Sequence, residues 1–152
     1  MSWTDHVIWW HLYPLRFVDG EPTYTPEVTH RFGHLVNWLD YAIDLGTNGL
    51  LLAPIFASTS HGYDTLDYYR IDPRLGDEQD FGEFLQEAKA RGLRVCLDGV
   101  FNHVSEDHEI VARARRDGPH SEAGQWLKWV DGYPRAFEGN FDLLELNLAH
   151  PP

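Results

Sequence analysis

Residues 80–97 read Asp80-Phe81-Gly82-Glu83-Phe84-Leu85-Gln86-Glu87-Ala88-Lys89-Ala90-Arg91-Gly92-Leu93-Arg94-Val95-Cys96-Leu97, and they decide the fold class. Phe81, Phe84, Leu85 and Ala88 recur at i, i+3, i+4 and i+7, which predicts a helix with one apolar stripe. Asp80 is expected to cap it, with Glu83 three residues on. Gly92 is a natural stop, and Lys89 and Arg91 suit the negative pole of the helix. Leu93 to Leu97 then supplies a strand after almost no loop. Cys96, the sole cysteine, has no intrachain disulfide partner and reads as a small buried thiol.

Working towards the amino terminus, the same alternation repeats. Leu35, Leu39, Ala42 and Ile43 fall on one face of a helix predicted over 33–45, with Gly46 as its stop. Leu50-Leu51-Leu52-Ala53 follows as a buried strand limited by Pro54. Val7 to Leu12 does not alternate strictly, as expected of a strand covered on both faces, and Tyr13-Pro14 ends it. Gly20, Pro22 and Pro26 punctuate a surface loop from Asp19 to Thr29. Strands separated by helices argue for a parallel sheet with right-handed crossovers.

Towards the carboxyl terminus the texture changes. Asp107 to Asp117 predicts a short helix with Ile110, Val111 and Ala114 on one side, and Ser121 to Val130 another bearing Trp126 and Leu127. Three strands and two crossover helices cannot close a barrel, and a (β/α)8 barrel takes about 250 residues against the 152 here. The expected fold is therefore α/β, an incomplete TIM (β/α)8 barrel. Residues 1–103 would hold its first three strands, and residues 104–152 the start of an excursion after strand three.

Composition narrows the function classes. The chain is 43% apolar and 24% charged, a globular balance, and its 24 acidic against 12 basic residues give a net charge of −12. No basic stripe suits nucleic acid or an anionic membrane, so neither partner is expected. The start Ser2-Trp3-Thr4-Asp5 lacks a basic segment and a smooth apolar stretch, which makes the cytoplasm the default location.

In parallel α/β proteins the carboxyl ends of strands form the usual binding face. Two polar clusters fall there. In His61-Gly62-Tyr63-Asp64 with Asp67-Tyr68, an imidazole and carboxylates suit sugar hydroxyls while an aromatic ring suits the sugar's apolar face. The same residues equally fit a turn whose Asp side chains satisfy nearby amides and whose Tyr rings pack inward. In Asp98-Gly99-Val100-Phe101-Asn102-His103, Asp98 ends the third strand, and Asn102 and His103 either enter a pocket or are satisfied locally.

These residues resemble the amino-terminal part of the α-amylase superfamily of glycoside hydrolases and transglycosylases. Asp98 to His103 is similar to that family's Asp-x-Val-x-Asn-His region, and His61 to Asp64 to the segment after its second strand. Asp67-Tyr68, Ile71-Asp72-Pro73 and Gly76 continue the pattern, and Trp9-Trp10-His11-Leu12-Tyr13-Pro14 is similar to its opening strand. Leu143-Leu144-Glu145-Leu146-Asn147 resembles the Leu-Pro-Asp-Leu-Asn segment of its excursion domain, with Leu144 for Pro and Glu145 for Asp.

The resemblance implies a retaining α-glycosidase acting on α-glucans or malto-oligosaccharides, in which one carboxylate attacks the anomeric carbon and a carboxylic acid protonates the leaving oxygen. It implies that Tyr63 stacks on the sugar next to the cleaved bond, that His61 and His103 lie near its hydroxyls, and that Asp98 organises the site. The catalytic acids would follow strands four, five and seven, so none is expected in this chain. An acid before the Gly-Tyr pair, which grips non-reducing ends in some members, is replaced by Ser60-His61. No resident cofactor is implied. Asn102 stands where typical amylases have a ligand of structural calcium, an ion that needs several further oxygen ligands. A transglycosylase, a trehalose-synthase-like isomerase and a non-catalytic carbohydrate-binding homologue are the other readings, and the downstream acids discriminate among them.

Overall fold

The computed structural model describes residues 2–150. Its strands, in chain order, are β1 (Trp9–Leu12), β2 (Gly49–Leu52), β3 (Phe56–Ser58), β4 (Thr65–Ile71), β5 (Arg94–Leu97), β6 (His103–Ser105), β7 (Trp129–Val130), β8 (Tyr133–Pro134), β9 (Ala136–Phe137) and β10 (Asn140–Glu145). The chain divides into two compact units, residues 1–55 with 69–99 and residues 56–68 with 100–152.

In the first unit β1, β2 and β5 form a parallel sheet in that order, with Trp10 opposite Leu50 and Leu50 opposite Val95. This is the expected mixed α/β arrangement. After the one-turn α1 (Pro14–Phe17), the helix predicted over 33–45 appears as two pieces, α2 (Phe32–Val36) and α3 (Leu39–Asp44). Asn37 and Trp38 keep right-handed helical backbone angles, so the break is slight. Leu35, Leu39 and Ala42 are buried as their spacing predicts, whereas Ile43 is exposed. Helix α4 (Glu78–Ala90) starts earlier than expected because Asp77, not Asp80, is its cap. Asp77 accepts the amides of Gln79 and Asp80, and the Asp80 carboxylate accepts the amide of Asp77 in return. Its buried stripe is Phe84 and Ala88, with Phe81 half-buried against Phe32 and Leu85 at the exposed margin. Gly46 and Gly92 end their helices with positive φ.

Cys96 corrects the expectation of a buried thiol: it is exposed. Strand β5 pairs with β2 alone among the described residues, and neighbouring Arg94 is exposed as well. Burial of an alternating strand depends on what lies over each face, which apolar character alone does not set.

The segment between β4 and α4 is held by charge. Arg74 and Asp72 are both fully buried, and Arg74 donates to the two carboxylate oxygens through Nε (2.8 Å) and a terminal nitrogen (2.7 Å). Another guanidinium nitrogen reaches the Glu21 carbonyl at 3.2 Å, while the Arg74 carbonyl accepts the Thr29 hydroxyl at 2.8 Å. Glu21 itself chelates Arg31 at 2.6 and 2.7 Å, which holds its carboxyl down at about 2.

In the second unit β6, β10 and β9 form an antiparallel sheet with β10 in the centre, and β3 pairs with β4. Helix α5 (Glu109–Asp117) was expected from Asp107, and its inner face buries Val111 and Ala114. The second predicted helix is reduced to α6 (Glu122–Gln125), after which Leu127 is buried and 129–134 folds back as the β7–β8 hairpin. These pieces close on Val104, Val111, Ala114, Ala123, Leu127 and Leu144.

Two predictions follow from charged groups in these cores. Arg74→Met keeps the side chain's length but leaves the Asp72 carboxylate buried without its counter-charge, so a loss of about 3–5 kcal/mol is expected, read as a lower urea midpoint. The second concerns His108, whose Nδ1 accepts the Ile110 amide at 3.1 Å and caps α5. Burial pushes this imidazole below its ordinary value, against the opposing pull of Asp67 and Glu109. A base depressed in the folded state gives stability that is complete above its unfolded value, about 6.5, and is lost as pH falls below it. His108→Asn keeps an acceptor at the cap and removes the titration. Between pH 7.5 and 5.5 the unsubstituted protein should therefore lose more of its thermal midpoint than the variant.

Candidate functional site

Within the second unit the chain from Ser58 to Asp64 forms a tight loop between β3 and β4, bonded mainly to itself. Buried Asp64 accepts the Ser60 hydroxyl at 2.6 Å and the His61 amide at 3.0 Å. The Ser58 hydroxyl accepts the Gly62 amide at 3.0 Å, and the Asp64 carbonyl accepts the Thr59 amide at 3.0 Å. Gly62 turns the chain with φ +87°, a conformation other residues adopt only with strain. Nδ1 of His61 accepts the Tyr63 amide at 3.2 Å. The two rings lie 6.3 Å apart.

His103 enters the same cluster from β6. Its Nε2 is 3.0 Å from the Tyr63 carbonyl, an atom that only accepts, so Nε2 carries the proton. Nδ1 then accepts the side-chain amide of Asn102 at 3.2 Å. The ring of Phe137, on β9, stacks on the imidazole with centroids 4.7 Å apart and planes 22° from parallel. Burial pushes His103 below its ordinary value, in keeping with a neutral ring. Opposite it in register stands Glu145, buried, bonded to Lys128 at 2.8 Å and paired with Arg135 at 3.2 Å; the Lys128 hydrogen bond holds its carboxyl low. Tyr68 donates its hydroxyl to the Val100 carbonyl, tying β4 to the approach to β6.

A cleft of about 310 Å³ adjoins the loop, lined by Thr59, Ser60, His61 and Asp64 with Ser105 and three further acids, Glu106, Asp107 and Asp142. Hydroxyls, an imidazole and carboxylates make a wall that can exchange many hydrogen bonds with a polyhydroxyl ligand.

The sequence-predicted residues thus fall as follows. His61, Tyr63 and His103 are brought together in the second unit, with Asn102 beside them. Asp98 is half-buried at the end of β5 in the first unit, where its amide donates to the Leu52 carbonyl at 2.8 Å. Asn102 directs its side-chain nitrogen to His103, and its backbone carbonyl accepts the Leu146 amide. Among the described residues, the acids and histidine close enough to share an ion are His30, Asp77 and Asp80, exposed or half-buried at the start of α4. There Asp80 bonds His30 at 2.7 Å and the Asp77 amide at 2.9 Å, which are the bonds of a helix cap. Phe137 and the Ser60–Asp64 bond were not foreseen from sequence. A hydroxyl four residues before an acid around a glycine was the available signal for the second, and nothing local signals the first.

The family model described as "Alpha amylase, catalytic domain" matches residues 11–143. The chain belongs to the alpha-amylase family. Its curated relatives include the intracellular maltogenic amylase of Bacillus subtilis, 34% identical over 99% of this chain and 29% of that protein. A cyclomaltodextrinase of Geobacillus thermopakistaniensis is 30% identical over 99% of this chain and 30% of that protein. Among solved structures, the cyclic alpha-maltosyl-(1→6)-maltose hydrolase of Arthrobacter globiformis in complex with maltose aligns with TM-score 0.81 and 30% identity, over 95% of this chain and 38% of that one. The debranching enzyme of Nostoc punctiforme aligns with TM-score 0.75 and 28% identity, over 95% and 36%. The chain therefore spans about a third of the length of these family members. Among the described residues no helix is long and apolar enough to cross a membrane.

The loop's internal bonds generate a prediction. Asp64→Ala removes the acceptors of Ser60 and His61, so amide exchange at His61, Gly62 and Tyr63 should accelerate at least tenfold, a loss of about 1.4 kcal/mol of local protection. Exchange in β2 of the first unit should be unchanged.

Proposed function

We propose that this chain is the first part of the (β/α)8 catalytic barrel of a retaining enzyme that acts on α-glucans or malto-oligosaccharides. On this reading β1, β2 and β5 are barrel strands one to three, and residues 104–152 begin the excursion after strand three. The observation that carries it is the family match over 11–143, within which His61, Tyr63 and His103 converge on one loop cluster. Maltose-based glucans recur in the names of the relatives, which supports the substrate class.

The division of labour follows from the chemistry. Retaining hydrolysis needs two carboxyl groups about 5–5.5 Å apart, one as nucleophile and one as acid then base. These are assigned to the longer protein, not to acids of this chain, whose carboxylates Asp64, Asp72 and Glu145 are engaged in loop, core and sheet. Tyr63 supplies an aromatic face for the apolar side of a sugar ring, and His61 and His103 lie near its hydroxyls.

Tyr63→Ala in the longer protein tests this. A loss of about 1–3 kcal/mol of transition-state binding is expected, read as a fall of roughly ten- to a hundredfold in kcat/KM on a short malto-oligosaccharide, with the thermal midpoint unchanged. Unaltered kinetics would remove Tyr63 from the sugar site, and a matching loss of folding would make it a packing residue.

A further inference from the structure

Two hairpins of the second unit carry exposed aromatic rings to one place. The β7–β8 turn is Asp131-Gly132 and the β9–β10 turn is Glu138-Gly139, and all four residues have positive φ, between 51° and 82°. Two consecutive left-handed residues make the tight turn that matches the twist of the paired strands, so the residues beyond each turn have a fixed direction. Tyr133 and Phe141, just past the two turns, are 75% and 78% exposed and add little to the core. Both line one groove of about 480 Å³ together with Trp129, whose indole is held by its bond to the Gly124 carbonyl at 2.8 Å. The charged part of the wall is Arg115 with Glu106, which pair at 3.3 Å and leave the groove without net charge.

That combination selects a ligand. An anion would meet an arginine already paired, in a chain of net charge −12, and an apolar ligand would leave the ion pair without new partners. A neutral sugar chain offers C–H faces to the rings and hydroxyls to both members of the pair, each of which keeps hydrogen-bonding capacity beyond the bond it makes. The groove also lies apart from Tyr63. Strand β10 pairs with β6 at Glu145–His103, and the Asp142 carbonyl accepts the Glu106 amide at 2.9 Å, so Phe141 is at the other end of the strand, roughly 13 Å from Glu145.

We propose that this groove is a second saccharide site, which holds a stretch of α-glucan against Tyr133 and Phe141 while the reaction proceeds elsewhere in the longer protein. The choice of α-glucan rests on the function proposed above; the rings, the paired charges and the stiff turns do not. Because the turns set the rings before a ligand arrives, little freedom is lost on binding. Such a site raises the local concentration of a long chain and does nothing for a substrate too short to reach it.

Chain length separates the two sites. In the protein carrying this chain, the Tyr133→Ala/Phe141→Ala double variant should bind soluble starch about tenfold more weakly in affinity electrophoresis, while kcat/KM on maltotriose stays within about twofold and the thermal midpoint is unchanged. Tyr63→Ala should show the opposite split, losing turnover of maltotriose and keeping most of the starch affinity. Hydrogen exchange gives a second readout: maltoheptaose should slow the amides of 130–133 and 139–142 in the unsubstituted protein and in Tyr63→Ala alike. Starch affinity unchanged in the double variant, or no slowing at those amides, would overturn the proposal. Equal losses on starch and maltotriose would make the groove an extension of the cleft beside Tyr63, with which it shares Glu106, and would overturn it as a second site. A lower thermal midpoint with starch affinity intact would show that another segment of the longer protein covers the groove, which overturns it too. If the unsubstituted protein neither turned over malto-oligosaccharides nor bound starch, the function proposed above would fail and this ligand with it; normal turnover with starch binding indifferent to the double variant would sink the second site alone.

Discussion

The first unit depends on an ion pair that touches no water. Asp72 and Arg74 are both completely buried, and removing two charges from water costs several kcal/mol each unless geometry and further hydrogen bonds offset it. Here the offset is visible. The guanidinium meets both carboxylate oxygens, and the Asp72 carbonyl accepts the amides of Leu75 and Gly76. The Leu75 carbonyl then accepts Arg31 and Phe32, so the proline-bearing loop from Asp19 to Thr29 is fastened at the point where α2 begins. Immediately after Gly76, Asp77 caps α4, and the helix returns the chain to β5 beside β2. The pair is therefore anchored immediately before the crossover helix that leads to β5.

In the second unit side chains again hold the backbone, here across short strands. The short strands β7, β8 and β9 have two residues each and cannot stand alone. Their cohesion comes from side chains that reach across them. Glu145 on the central strand holds Lys128 and Arg135 from either side of the β7–β8 hairpin, and the indole of Trp129 donates to the Gly124 carbonyl at 2.8 Å. Because β9 is fixed against β10 and β10 against β6, Phe137 is delivered onto His103 by sheet pairing. The position of that aromatic ring is thus a consequence of strand register.

This difference explains what the sequence disclosed. Period and punctuation are local, so the crossover helix, its end at Gly92, the strand after it and the parallel order could be read directly. Asp77 and Asp80 were misassigned because two acids three residues apart satisfy the same capping pattern, and only the reciprocal bonds tell them apart. Exposed Cys96 and the shortened helix at Glu122–Gln125 failed for another reason: burial and helix length there depend on partners distant in sequence. The site divides the same way. His61, Tyr63, Asn102 and His103 were legible through their motif segments. The carbonyl that fixes the proton on Nε2 of His103 belongs to a residue 40 positions earlier, and the ring that stacks on it to one 34 positions later, separations no local pattern records.

A loop has two routes to rigidity, packing its side chains into a core or fastening its backbone. On the sugar-site reading proposed above, burying the Tyr63 ring would remove the face it presents. The chain from Ser58 to Asp64 takes the second route: the Ser58 hydroxyl, the Asp64 carboxylate and the His61 imidazole accept its amides, the His103 imidazole binds a carbonyl and the Ser60 hydroxyl braces Asp64, while Tyr63 stays only half-buried. Asp64 sits at the centre of that arrangement, and its burial strengthens the bonds it accepts because little water competes for them. The polar residues that look like ligands in the sequence are in large part the scaffold of the loop that carries Tyr63.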